Sequence, residues 1–249
     1  MTTPLLIRFY DPTIHCPDPS GHSLPLLLSW PDPSLERSHT YIQTLFPLPE
    51  PSPVNPSAPV ITRAVFLAFR TRPELRAQLL LALVRMLQFY GFDANISSEE
   101  AVHITRSPNF AQKARKWGLL TRFSHNHLRI TRIIRSLRVL GCEQAARAFY
   151  EALVEVGEAK YPGVIGERSL GFWRRAVERP LWVRPEDEDE GESERVGGKE
   201  GFLWEFERGE MGELRGGDGE VDMEEKGKGD GTEDGKEDWK DGGGEGEGG

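Results

Sequence analysis

Two segments of the chain carry the polar side chains best placed to bind a ligand. His39 and Gln43 are one helical turn apart, and His125, Asn126 and Arg129 stand together at the start of a second predicted helix. Free N–H groups at a helix start favour an anion, and an arginine fork can bind a carboxylate through two hydrogen bonds. One interpretation is a small site that holds a peptide carboxylate. The other is that these side chains cap helices and link the core.

The residue pattern does not indicate a catalytic site or a metal site. His125 and His127 are two positions apart, so on a helix they point to different sides, and no Cys or carboxylate stands near them at ligand spacing. The sequence has no glycine-rich phosphate loop, nucleophile elbow or spaced carboxylate pair. We therefore predict a protein that is not an enzyme and that has no catalytic residue, metal site or cofactor.

The helix that must position the second polar cluster is predicted within residues 124–141. Apolar residues recur there at helical spacing and form one stripe: Ile130, Ile133, Ile134, Leu137 and Leu140. Ser124 or Asn126 can cap its first N–H groups, and Gly141 suits its last turn. This pattern predicts a central helix that buries one face and exposes arginines on the other.

The exposed face would carry Arg129, Arg132, Arg135 and Arg138. Nine Lys and Arg and no acidic residue lie between Ala101 and Gly141, a density typical of surfaces that neutralise phosphates. The alternative function is therefore nucleic-acid binding by a helical protein through the basic stretch 106–138. Against it, the sequence shows no helix-turn-helix or zinc-finger signature, and an arginine row often only solvates a helix.

The rest of the first 185 residues also favours helices. Capping signals and apolar spacing predict them at about 33–46, 63–70, 74–90, 108–117, 143–156 and 167–183. Residues 47–59 contain six prolines and predict an extended strap. No run alternates with period two for long enough to indicate a sheet. We therefore predict an all-α fold, a single helical domain of about six helices over residues 1–185.

Residues 186–249 have a different composition. Residues 1–185 carry 23 Lys and Arg against 15 Asp and Glu, a net +8, whereas 186–249 carry 8 against 25, a net −17. Their Gly, Glu, Asp and Lys content predicts a disordered acidic tail. The aromatic cluster within it, Phe202, Leu203, Trp204 and Phe206, is either incidental or a segment that folds on a partner.

The cellular setting is expected to be intracellular. Cys16 and Cys142 are too few for a disulfide framework, which favours a reducing compartment. The N-terminus lacks the apolar run of a secretory signal, and the most apolar helix, 74–90, contains arginine and glutamine. Any membrane association should therefore be peripheral.

Three blocks of the sequence resemble the conserved domain of the opioid growth factor receptor family. They are Ser38–Leu48 (SHTYIQTLFPL), Leu87–Gly91 (LQFYG) and Ser124–Ile133 (SHNHLRITRI), in the family's order and at compatible spacing. The resemblance covers about residues 6–142 and continues more loosely to Pro185. Thr44 stands where animal members commonly have Trp, and His127 where they have Asn.

The resemblance implies a function as well as a fold. It implies a helical domain of an intracellular, nucleus-associated receptor that binds the opioid peptide met-enkephalin and restrains proliferation. A peptide-binding or protein-interaction module follows as the expected function, with a met-enkephalin-like peptide or an acidic partner as its ligand. The resemblance assigns no ligand-contacting residue and leaves the oligomeric state open.

Overall fold

The computed structural model describes residues 2–187 and 201–211, all within one compact unit, Met1–Leu214. The described residues form short and long helices with one small sheet. The helices are α1 (Leu5–Tyr10), α2 (Leu24–Ser29), α3 (Asp32–Arg37), α4 (Ile42–Leu45), α5 (Arg63–Thr71), α6 (Pro73–Tyr90), α7 (Phe110–Lys116), α8 (His125–Val139), α9 (Glu143–Val154), α10 (Glu167–Glu178) and α11 (Phe202–Glu207). A π-helical segment, Glu155–Lys160, continues α9. None of the described helices is both long and apolar enough to cross a bilayer.

Helix α8 lies at the centre of the fold, as predicted. Its apolar stripe, from Ile130 to Leu140, is completely buried and packs against α9 and α10. The helix is enclosed more fully than the sequence predicts, because Asn126, Arg129 and Arg135 are buried as well. The arginine side of α8 therefore faces other elements of the protein instead of bulk water.

A two-stranded antiparallel sheet corrects the prediction of an all-α fold. Strands β1 (Phe92–Ile96) and β2 (Val102–Arg106) pair with Phe92 opposite Arg106 and Ile96 opposite Val102. Exposed and less exposed residues alternate along both strands, but each strand has only five residues. A period-two pattern this short is easily overlooked beside long helical repeats.

The predicted helix at 33–46 is two helices, which is a second correction. Helix α3 ends at Arg37, and α4 begins at Ile42 after a turn. The guanidinium group of Arg129 accounts for the break, because it donates to carbonyl groups at the end of α3 and in the turn, those of Leu35, Glu36 and Ser38. A donor more than 90 residues away in sequence thus satisfies carbonyls that a continuous helix would use itself.

Other predicted boundaries agree more closely with the structure. Thr62 accepts a hydrogen bond from the N–H of Val65 as the N-cap of α5, and α6 ends at Gly91, which has a left-handed φ of 92°. A side chain at Gly91 would place its Cβ 3.0 Å from Cα of Phe110, so glycine serves both the turn and the close approach of α7. The last predicted helix is shorter than expected and ends at Glu178.

Part of the predicted disordered tail is folded. Residues Phe202–Glu207 form α11, and Leu203 is fully buried in the same core as α5. The prediction of disorder from residue 186 is therefore wrong for this segment. The remaining parts of the predicted tail, residues 188–200 and 212–249, lie outside the described residues.

Candidate functional site

A pocket of about 420 Å³ lies along α8, opposite α4 and the proline-rich strap. Its volume is within the range that holds small ligands and peptide termini. Its walls come from α4 and the turn before it, the strap, α8, α10 and the segment after α10. The lining residues are His39, Ile42, Gln43, Leu48, Ser52, Pro53, Val54, His125, Leu128, Arg129, Thr131, Arg132, Arg135, Phe172, Pro185 and Glu186.

The pocket's walls include exposed apolar side chains. Val54 is 66% exposed and Leu128 is 53% exposed, and both are among the few large apolar residues that the described parts of the chain leave in water. Ile42, Leu48 and Phe172 add apolar surface to the lining. Because each exposed apolar group would gain by being covered, these walls favour a ligand with apolar side chains.

The pocket brings together most of the residues that the sequence singled out. His39, Gln43, His125 and Arg129 all line it, although the first pair and the second pair are more than 80 positions apart in sequence. Asn126 lies behind the wall and is completely buried. Of the other three arginines of the predicted exposed row, which form the predicted basic surface, Arg132 and Arg135 line the pocket, whereas Arg138 does not.

Asn126 and Arg129 are held by the protein itself. The Asn126 amide donates to Glu36 Oε2 at 2.9 Å and to the Trp117 carbonyl at 2.7 Å, and its oxygen accepts from Arg129. Arg129 also binds the end of α3, with Ser38 O at 2.7 Å, and lies 3.5 Å from Glu36. These contacts fit the core-linking interpretation of the two residues, because few guanidinium donors remain for a ligand.

The four arginines of α8 share one role, which the sequence analysis missed. Arg132 donates to the carbonyl of Phe46 just after α4, and Arg135 donates to that of Val183. Arg138 donates to the carbonyls of Ala176 and Arg179 at the end of α10. The acceptors of Arg129, Arg132 and Arg138 lie at helix ends, where carbonyl groups lack intrahelical partners and carry partial negative charge, so cations near them are favourable. The prediction that the row faces water is therefore wrong, most clearly for Arg129 and Arg135, which are each 5% exposed.

Arg132 differs from Arg129 and Arg135, the other two arginines of the pocket, in forming no ion pair within the described parts of the chain. Arg129 has Glu36 and Arg135 has Glu50, but no ion pair of Arg132 is found among residues 2–187 and 201–211. Burial lowers the pKa of Arg132 to about 10, and the charges of Glu50 and Glu186 oppose that shift. The side chain therefore stays protonated at neutral pH as a poorly hydrated cation in the pocket wall.

Two buried polar atoms near the pocket, unlike the guanidinium group of Arg132, have no hydrogen bond within the described residues. Both Oε1 of Gln43 and Nε of Arg135 are buried without a hydrogen bond there. Unsatisfied buried polar atoms cost about 1 to 3 kcal/mol each and are often found where a ligand or water completes the network. They add to the polar character of the wall around Arg132.

His125 and His127, at the start of α8, have different surroundings. His125 Nε2 lies 3.2 Å from Glu36, and its ring contacts that of His39 at 5.8 Å. His127 is buried, with Nε2 3.0 Å from the Leu119 carbonyl and Nδ1 2.8 Å from Ser169 Oγ. Because a carbonyl can only accept, Nε2 of the neutral ring carries the proton, and Nδ1 accepts from Ser169. Burial lowers the pKa of His127, which favours this neutral form.

Most of the chain matches the model of one protein family. The model of the opioid growth factor receptor conserved region matches residues 5–178, which include α1 to α10. The chain belongs to the opioid growth factor receptor family. Helices α4, α8 and α10, which form three walls of the pocket, all lie inside the family's conserved region. The segment after α10 and helix α11 lie beyond it.

Individual relatives are similar over the same part of the chain. The opioid growth factor receptor of Rattus norvegicus is 41% identical over 140 residues, 55% of this chain and 23% of the relative. That of Homo sapiens is 33% identical over 156 residues, 61% of this chain and 22% of the relative. Opioid growth factor receptor-like protein 1 of Mus musculus is 36% identical over 126 residues, 49% of this chain and 26% of the relative. The matches thus span about a quarter of each relative or less. No solved structure matches the chain significantly.

Some residues of the pocket could not be found from the sequence. Val54, Leu128 and Phe172 come from three separate elements, and none of them follows a motif. Of these three residues, only Leu128 has a recognisable sequence signal. It is an apolar residue on α8 that does not belong to the buried stripe, so it must lie on another face of the helix. Glu50 and Glu186 belong to no motif of the sequence and differ there in no way from other acidic residues.

Proposed function

We propose that the pocket along α8 binds a short peptide through its C-terminal carboxylate and an apolar side chain. The carboxylate lies against Arg132, and the apolar side chain covers Val54, Leu128 and Phe172. Met-enkephalin is the first ligand to examine, because relatives of this chain are named as opioid growth factor receptors. It offers a free carboxylate together with phenylalanine and methionine side chains.

The position of Arg132 is the observation that carries this proposal. A cation that is partly withdrawn from water and has no carboxylate partner gains more from an anionic ligand than a solvated surface arginine does. The apolar residues beside it supply the surface that short peptides bury on binding. Arg129, the clamp predicted from the sequence, supports the pocket from behind by holding the end of α3.

The test combines one protein variant with one change in the peptide. Calorimetry of the full chain should be performed with met-enkephalin and with its C-terminal amide, on the natural protein and on Arg132→Met. We expect amidation and the substitution each to weaken binding about tenfold or more, the range for a hydrogen-bonded charge pair. Their combination should lose no more than either alone, because both remove the same contact.

The matched control is Arg122→Met, which removes an exposed arginine outside the pocket. Its affinity for the free-acid peptide should equal that of the natural chain. Additive losses from amidation and Arg132→Met would place the carboxylate elsewhere, and undiminished binding of the amide would reject the proposed contact.

Nucleic-acid binding through residues 106–138 stays a prediction that we do not favour. Its strongest argument was a solvated row of guanidinium groups, and those groups donate to backbone carbonyls instead. Arg115, Lys116 and Arg122 are the exposed cations left in that stretch. The intracellular, nucleus-associated location likewise remains a proposal supported by the family resemblance, and any membrane contact would be peripheral.

A further inference from the structure

Helix α11 covers an apolar groove between α5 and residues 181–183. Its Leu203 is fully buried, and the rings of Phe202 and Phe206 lie 5.3 and 5.0 Å from that of Phe66 on α5. On the other side, Trp204 packs edge-on against Trp182 with ring centroids 4.8 Å apart. Apolar and aromatic side chains thus anchor this short helix on both sides of the groove.

Charge complementarity adds to the apolar contacts. Glu205 forms an ion pair with Arg63 at 2.5 Å, and Glu207 accepts a hydrogen bond from the N–H of Leu181 at 2.9 Å. The guanidinium group of Arg70 lies 4.3 Å from the ring centre of Phe206. The groove therefore presents two cations and a backbone donor to an acidic, aromatic helix.

The helix owes its structure to the groove. A helix of six residues is too short to be stable alone in water, because nucleation costs more than so few hydrogen bonds return. Phe202 and Phe206 share one face through their spacing of four, as in amphipathic helices that bind in grooves. The three charged or aromatic groups that α5 contributes to the groove, Arg63, Phe66 and Arg70, lie inside the conserved region, whereas α11 lies beyond it.

We propose that this groove is a docking site for a short acidic helix of a partner protein, and that α11 occupies it as an intramolecular competitor. The partner helix would present a leucine and two aromatic side chains on one face, with a glutamate opposite Arg63. Because α11 is part of the same chain, its effective concentration is high, and a partner must displace it. This site shares no residue with the pocket along α8.

The experiment measures binding of a labelled peptide with the sequence of residues 201–211 by fluorescence anisotropy. The full-length chain is compared with Leu203→Glu/Phe206→Glu, which removes α11 from the groove and leaves the groove intact. We expect the variant to bind the peptide at least about tenfold more tightly than the natural chain. Adding Arg63→Glu to the variant should abolish that gain, and a scrambled peptide should not bind.

Two further variants keep the result decisive. Glu210→Ala alters an exposed residue of the same segment whose carboxylate pairs with Arg208 and does not contact the groove, so it should bind the peptide as weakly as the natural chain. Glu205→Arg weakens docking by repelling Arg63 without placing a charge in the core, and it should also tighten peptide binding. It therefore serves if the double glutamate variant does not fold.

Three results would overturn the proposal. Equal peptide affinity of all variants would show that α11 does not compete for the groove. Absence of binding even to Glu205→Arg and to a folded double variant would make α11 a permanent part of the domain. A concentration-dependent dimer in size-exclusion chromatography that Leu203→Glu/Phe206→Glu dissociates would assign the groove to α11 of a second copy.

Discussion

Arg129 and Arg132 occupy successive turns of α8. Replacing Arg129 by Met should mainly lower the stability of the fold, whereas replacing Arg132 by Met should mainly lower peptide affinity. Met keeps most of the aliphatic bulk and removes the charge and the donors. For Arg129 the change leaves the Leu35 carbonyl without its donor in a buried position, together with those of Glu36 and Ser38 at the α3 end. Loss of one partner from a buried charged network costs about 3 to 5 kcal/mol. We expect a loss in this range for Arg129→Met.

Arg132→Met, in contrast, should change the free energy of unfolding little. This side chain has one backbone acceptor, Phe46 O at 3.1 Å, and its lowered pKa means that folding makes its charge less favourable. The lost hydrogen bond, about 1 kcal/mol, is therefore offset by relief of the buried charge, and stability should change by no more than about 1 kcal/mol. The affinity of the Arg132→Met variant for the free-acid peptide should fall about tenfold or more.

Chemical denaturation followed by tryptophan fluorescence measures both stabilities, and Trp117 and Trp173 report from the region around α8. The slopes of the unfolding curves should match that of the natural protein if only stability changes. A loss below about 1 kcal/mol for Arg129→Met would refute its role in holding α3. A loss above about 3 kcal/mol for Arg132→Met would show that this arginine is structural too.

Two further predictions concern the core of α8. Ile134→Ala should lower the free energy of unfolding by about 2 to 5 kcal/mol through lost burial and a cavity, and a loss below half a kcal/mol in denaturant unfolding would contradict the central position of the helix. Burial holds the pKa of His127 below its usual value of 6.5, so the unfolded chain binds more protons as pH falls below about 6.5 and the free energy of unfolding should decrease there. In His127→Asn this decrease should be shallower by up to about 1.4 kcal/mol per pH unit, whereas equal slopes would mean that the ring is protonated in the folded state as well.

Periodicity and capping residues predicted the longer helices because those signals are local. The apolar stripe of α8 needs only residues on α8, and the end of α6 needs only Gly91. The break between α3 and α4 was not predictable in this way, since it depends on the guanidinium group of Arg129 in a distant segment. The β1–β2 hairpin was missed for a different reason, because its strands are too short for the alternation to be recognised.

The candidate site shows the same division between local and distant information. The sequence identified His39, Gln43, His125 and Arg129 by residue type and helical spacing, and the fold places all four at one pocket. It could not reveal which arginine of the pocket forms no ion pair within residues 2–187 and 201–211, because Glu36 and Glu50 reach α8 from the α3 region and the strap. Selecting Arg132 over Arg129 required those tertiary pairs.

The arginine spacing itself permits two opposite interpretations. A residue at every third position drifts by about 60° per step around a helix, so Arg129, Arg132, Arg135 and Arg138 point in a fan of directions instead of forming one face. For a duplex, a single face is needed if all four groups are to reach phosphates. For a central helix surrounded by other elements, a fan is what allows successive arginines to reach the ends of α3, α4 and α10. The angular drift, which can be read from the sequence, therefore favours the structural role, and the charge count alone does not distinguish the two.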